Sequence, residues 1–140
     1  LQGNGKMGKS VEGSYINLSD DLDAIKSRLA KAPTDSGTVG GNIPTTGGVG
    51  NLFTLLKMFT DKDTFVKFVI DYREKKIRYS DMKQVLAEAI YTELQPIQEK
   101  RKVYEDNPKL VDDIIEEHTE KCRKVASETL NEVKTKMGLL

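Results

Sequence analysis

The chain is poor in the residues that build cross-links and metal centres: of its 140 residues one is cysteine and one is histidine. With Cys122 alone no internal disulfide can form, and a reducing compartment, the cytoplasm, is the expectation. His118 and Cys122 stand four apart, a spacing that sets two ligands side by side on a helix, but no other His or Cys can complete the set. No metal site is therefore assigned, and both residues read as core positions of a helix. A run of eighteen apolar residues is also missing, so no membrane span is expected. Charge of one sign is missing too. The 22 basic and 22 acidic residues cancel, which argues neither for nor against a polyanionic partner. The length suits one domain or part of one and is small for an enzyme that must enclose two substrates.

What the chain does have is a glycine-rich, lysine-bearing start, Gly3-Asn4-Gly5-Lys6-Met7-Gly8-Lys9-Ser10. Glycines let backbone N–H groups approach phosphate oxygens, and the ammonium groups neutralise them. The stretch satisfies G-x-x-x-x-G-K-S, the Walker A pattern, whose meaning depends on a buried strand leading in and a helix starting at Lys-Ser. Only Leu1 and Gln2 precede Gly3, and Val11-Glu12-Gly13-Ser14-Tyr15 has no 3.6-residue apolar period. No later apolar strand ends in an acid that could hold magnesium. The competing reading takes Lys6-Met7-Gly8-Lys9-Ser10 as a variant of K-M-S-K-S, the mobile ATP-phosphate loop of class I aminoacyl-tRNA synthetases, which needs no helix after it. A chain that opens inside a motif is expected to have lost its true start, so Leu1 reads as a cut.

Tyr15 to Leu18 is a short extended candidate. Ser19, followed by Asp20, Asp21 and Asp23, predicts a capped helix with Leu22, Ile25 and Leu29 on one face and Pro33 at its end. Six glycines between Gly37 and Gly50, with Pro44, predict a linker that cannot hold a helix. From Asn51 onward the pattern is helical. Asn51 to Phe59 is apolar all round, and Thr60-x-x-Asp63 resembles a capping box ahead of Phe65, Val66, Val69, Ile70 and Arg73. Ser80 is expected to cap a long helix with Met82, Val85, Leu86, Ala89, Ile90 and Ile97 inward, kinked or divided at Pro96. Asn107 and Pro108 open a last helix of about 30 residues, or roughly 45 Å. Its apolar positions, from Leu110 through Ile114, Val125, Leu130 and Val133 to Met137, recur at three and four. Its first third carries Asp112, Asp113, Glu116 and Glu117, its last Lys134 and Lys136, as the macrodipole favours.

Four stretches, in order, resemble the bacterial-type tryptophanyl-tRNA synthetases: the loop Gly5 to Ser10; Tyr15-Ile16-Asn17-Leu18-Ser19-Asp20-Asp21 with its helix and Thr34-Asp35-Ser36; Leu94-Gln95-Pro96-Ile97-Gln98-Glu99; and Ala126-Ser127-Glu128-Thr129-Leu130 through Met137-Gly138-Leu139. The resemblance covers nearly the whole chain and matches that family's C-terminal half. It implies that Lys6, Met7, Gly8, Lys9 and Ser10 bind the ATP phosphates, with Lys9 the main stabiliser of the departing pyrophosphate and Lys6 beside it. Gly8 stands where a serine is usual, and Val11-Glu12-Gly13 departs from the acidic-proline continuation often found there. The resemblance further implies a helical domain that binds the tRNA anticodon, with ATP, tryptophan and tRNA(Trp) as partners and magnesium with ATP in the full enzyme. It also implies a homodimer for the full-length protein and a monomer for this piece. Some members carry an iron–sulfur cluster, which one cysteine cannot hold. Arg73, Lys75, Lys76 and Arg78, between Tyr72 and Tyr79, are the candidate tRNA contacts.

The expected fold class is all-α, a helical bundle preceded by the glycine-rich loop of a missing Rossmann-type catalytic domain. Its expected divisions are 1–18 for the loop, 19–50 for a helix and linker, and 51–140 for the helical domain. On its own the chain is expected not to aminoacylate. A free-standing helical RNA-binding or adaptor module is the alternative from another class, and a tyrosyl-tRNA synthetase is the alternative within it.

Overall fold

The computed structural model describes residues 1, 8, 11, 13–37 and 39–139. Five helices follow one another: α1 Leu22–Ala30, α2 Gly47–Phe59, α3 Lys62–Arg73, α4 Tyr79–Glu105 and α5 Pro108–Lys136. No strand occurs among the described residues, so Tyr15 to Leu18 is irregular and the all-α expectation holds. The chain divides into two compact units, Leu1–Gln98 and Glu99–Leu140.

In the first unit, Ile25 and Leu29 of α1, Leu52, Phe53 and Leu56 of α2, Phe68 and Tyr72 of α3, and Met82, Leu86, Ile90 and Leu94 of α4 form one core. Burying each of these large side chains contributes about 1.5–3 kcal/mol. Phe53 organises the α2–α3 contact: its ring meets Phe65 edge-on at 6.4 Å and Tyr72 at 5.6 Å. That choice sets the inward face of α3. Phe68 and Tyr72 are buried, whereas Val66 and Ile70 of the helical repeat are exposed. Met58 is likewise 71% exposed, so α2, apolar as it is, is not buried all round, and Ile97 lies on the open side of α4.

The helix starts sit one or two residues from the expected caps. Asp21, not Ser19, caps α1 by accepting from the Ala24 N–H at 2.8 Å. Asp61 caps α3, accepting from the N–H groups of Asp63 and Thr64 at 2.9 Å, while Thr60 closes α2 by donating its hydroxyl to the Leu56 carbonyl. A carboxylate nearer the first turn, by two residues in α1 and by one in α3, outcompetes the hydroxyl in both places. Ser80 lies inside α4 and donates to Asp81, and the Asn107 side chain makes no capping bond. Pro96 does not divide α4, which runs through it as one helix of 27 residues.

The largest correction is at Gly47 to Gly50, which form the first turn of α2 and not the end of a linker. Glycine is poor in helices, but here it permits a close crossing. A Cβ on Gly48 would fall 2.0 Å from the Pro33 carbonyl oxygen, and one on Gly50 would fall 2.6 Å from that of Pro44. The chain after α1 lies directly against the start of α2.

In the second unit, α5 spans 29 residues and buries none of them. His118 and Cys122 are therefore exposed, lining a shallow groove with Ile115, Thr119 and Ala126, and are not core residues. Local charge pairs support the helix: Glu117–Lys121 and Glu132–Lys136 at 2.6 Å and Lys109–Asp113 at 2.8 Å. Each contributes about 0.3–0.5 kcal/mol.

Candidate functional site

Of the loop residues expected to bind ATP phosphates, Lys6, Met7, Lys9 and Ser10 lie outside the described residues. Gly8 is described, and its surroundings depend on Ser14. The Ser14 hydroxyl, nearly fully buried, donates within reach of the Gly8 and Val11 carbonyls at 2.9 and 2.8 Å and lies 3.4 Å from the Gly8 N–H. The Ser14 carbonyl accepts from the Leu1 amine at 3.0 Å.

The next segment is knotted by ionic hydrogen bonds. Asp20 accepts from the Asn17 N–H at 2.9 Å, the Asn17 side-chain amide at 3.0 Å and the Arg28 guanidinium at 2.9 Å. Burial pushes the Asp20 carboxyl up, but the Asn17 hydrogen bonds and the Arg28 charge outweigh it, holding its pKa below the usual carboxylate value. Arg28 also donates to the Tyr15 carbonyl at 3.3 Å and lies 5.1 Å from the Tyr15 ring centroid. The Gln98 side-chain amide donates to the carbonyls of Leu18 and Asp20 at 2.9 and 3.0 Å. The second and third resembling stretches, far apart in sequence, thus meet.

The third member of the second stretch acts elsewhere. Asp35 accepts from the Tyr79 hydroxyl at 2.8 Å, the Tyr72 hydroxyl at 3.4 Å and the Gly37 N–H at 2.7 Å. Both phenols have raised pKa values, first through burial and then through the Asp35 carboxylate beside them. Lys83 reaches from α4 to the end of α1, donating to the carbonyls of Ala30 and Ala32 at 3.0 and 2.8 Å. There it occupies one orphan acceptor of the helix terminus, at Ala30, and one of the chain that leaves it, at Ala32.

Tyr72 and Tyr79 bracket the basic residues expected to meet tRNA: Arg73 at the end of α3 and Lys75, Lys76 and Arg78 on the turn that follows are all exposed. Their neighbourhood in sequence is thus kept in space as one surface turn. Lys76 pairs with Glu74 at 2.8 Å, both exposed. No group of three or more His, Cys, Asp or Glu able to hold a metal exists among the described residues, and none of the described helices is long and apolar enough to cross a membrane.

Residues 1–95 match the family model described as tRNA synthetases class I (W and Y). The chain belongs to the class I tRNA synthetases of that group. Among relatives of this synthetase family, a tryptophan–tRNA ligase of Porphyromonas gingivalis is 36% identical over 138 residues, covering 99% of the chain and 42% of the relative. Those of Clostridium longisporum and Rickettsia prowazekii are each 34% identical, covering 98% and 96% of the chain and 40% and 41% of the relatives. The chain therefore spans about two fifths of the length of the curated relatives it matches. Of the resembling stretches, Tyr15–Asp21 and Thr34–Ser36 are irregular, whereas Leu94–Glu99 lies within α4 and Ala126–Leu130 within α5.

Sequence reasoning singled out the loop lysines, which lie outside the described residues, and four basic residues that stay together on the surface, but it did not single out Ser14, Arg28, Lys83 or the contacts of Asp35 and Gln98. The first two had no distinguishing local signal. Asp35 and Gln98 sat within resembling stretches, which marked them without saying what they touch.

Proposed function

We propose that the chain is the C-terminal portion of a tryptophan–tRNA ligase, which activates tryptophan with ATP and passes it to tRNA(Trp). The observation that carries this is the pairing of a class I model match over residues 1–95 with relatives named tryptophan–tRNA ligase across nearly the whole chain. In the first step a tryptophan carboxylate oxygen attacks the α-phosphorus of ATP. The bond to the bridging oxygen breaks, and pyrophosphate leaves with the charge. Lys9, with Lys6 beside it, stabilises that developing charge, and Met7, Gly8 and Ser10 complete the phosphate contact. In the second step a terminal ribose hydroxyl of the tRNA attacks the acyl carbonyl, and AMP leaves.

Residues 1–18 then supply the edge of the catalytic domain, the helix and linker run from 19 to the start of α2 at Gly47, and α2 onward forms the helical tRNA-binding domain. Arg73, Lys75, Lys76 and Arg78 form its phosphate-contacting surface. Magnesium arrives as the counter-ion of ATP, no iron–sulfur cluster is bound, and the enzyme works in the cytoplasm as a homodimer. This chain alone is monomeric and does not aminoacylate.

The test is tryptophan-dependent ATP–pyrophosphate exchange by the full-length protein. Lys9→Ala should slow exchange by about 10²–10³-fold, the effect of deleting one charge-stabilising donor, with little change in KM for tryptophan. Undiminished exchange removes Lys9 from its role, and exchange supported by tyrosine instead moves the protein to the tyrosine branch.

A further inference from the structure

Four cations lie within six residues on the α3–α4 turn, and the structure holds that turn at both ends. Tyr72 precedes it and Tyr79 follows it, 37 and 44 positions from Asp35, and one Asp35 carboxylate accepts from both phenols. Tyr72 is also fixed by the edge of Phe53. The underside of the turn is closed by the linker. Gly40, at φ +65, passes so near that a Cβ there would lie 2.7 Å from Lys75 Cγ and 3.2 Å from the Arg73 carbonyl oxygen. The turn itself closes α3 with a Lys76 N–H to Asp71 carbonyl bond of 2.8 Å, and Lys75 takes the left-handed position at φ 60 where glycine is usual. A lysine kept in that conformation is strained by about 1 kcal/mol, and strain of this kind gathers where a side chain's direction matters.

We propose that Asp35 is a positioning residue for RNA binding. By bridging the two phenols it fixes the shoulders of the turn, so that Arg73, Lys75, Lys76 and Arg78 meet the phosphodiester backbone as a prearranged set. This rests on the RNA-binding role proposed above for the same four residues. Preordering lowers the entropy lost when long cationic side chains engage phosphates. The Glu74–Lys76 pair is exposed and weak enough to open as a phosphate approaches.

Charge and position predict opposite signs for one substitution. Asp35→Asn removes an anion beside a cationic surface. If only charge mattered, affinity for a polyanion would rise; if Asp35 positions the turn, affinity falls. The experiment measures binding of a tRNA transcript to the full-length protein across a salt series. Asp35→Asn and the charge-neutral Tyr79→Phe should each weaken binding by about 3–10-fold and flatten the slope of log affinity against log salt, since fewer phosphates are engaged at once. Asp35→Glu should recover part of the loss. A joint Ala replacement of Arg73, Lys75, Lys76 and Arg78 separates the levels of the argument. If that variant binds like the parent, the turn is not an RNA surface, and both the surface and its positioning fall. If it weakens binding while Asp35→Asn and Tyr79→Phe leave affinity and slope unchanged, or if Asp35→Asn tightens binding, only the positioning role falls. A fall in affinity with an unchanged salt slope assigns Asp35 a purely structural part and likewise overturns the proposal.

Discussion

Replacing Gly48 with alanine sets two physical effects against each other. Helix propensity alone favours alanine by about 0.8–1 kcal/mol, less near a helix end. The close crossing opposes it. A Cβ at position 48 would lie 2.0 Å from the Pro33 carbonyl oxygen and 2.7 Å from Pro33 Cγ, whereas ordinary contact begins at 3.4 Å. Pro33 and α2 would have to separate by about 1.4 Å, well up the repulsive wall of the contact. Neither side yields easily. The carbonyl of Ala32, next to Pro33, is held by Lys83, and Val49 and Leu52 are buried one and four residues after Gly48. Over-packing of this kind costs about 1–3 kcal/mol, occasionally more. An overlap of this depth belongs at the upper end of that range, so after the propensity gain Gly48→Ala should destabilise by roughly 2 kcal/mol, which in a unit this size lowers Tm by about 4–8 °C per kcal/mol. Thermal unfolding followed by circular dichroism, with urea titration as a check on the free energy, measures it. An unchanged or higher Tm would refute the argument that the glycine is there for the crossing.

Two further outcomes follow from the same geometry. Because the folded-state pKa of Asp20 lies below its unfolded value near 3.8, the ionised carboxylate contributes stability above that value, which is lost as pH falls through the folded pKa. Asp20→Asn should therefore lower Tm at neutral pH and narrow the gap to the parent protein as pH drops below 4; a gap that stays constant with pH sinks the assignment. Lys75→Gly relieves the left-handed strain at φ 60, so it should raise stability by up to about 1 kcal/mol while weakening RNA binding. A loss of stability would show that the lysine stem on Gly40 matters more than the backbone.

The helices were legible because apolar positions repeat at three and four, and that signal is local. Their caps were not, because Ser19 and Asp21, or Thr60 and Asp61, compete over a distance of one or two residues, and only the geometry of the first turn decides. Gly47 to Gly50 read as linker because propensity counts a missing side chain as a cost. The benefit, passage beneath Pro33, belongs to a residue 15 positions away. The stripe on α5 was visible, but periodicity says only that a face is apolar, not that anything within its own unit covers it. The loop lysines stood out as a motif. Asp35, Ser14 and Gln98 act on backbone and side chains that no local pattern connects to them.

The amide of Gln98 closes on carbonyls 78 and 80 residues earlier in the chain. During synthesis at about 5–20 residues per second, Leu18 and Asp20 would leave the ribosome roughly 4–16 s before the group that completes their hydrogen bonding. Their segment is thus finished last by a residue of the fourth helix, and the order of translation leaves Leu18 and Asp20 open until the final residue of the first unit is made.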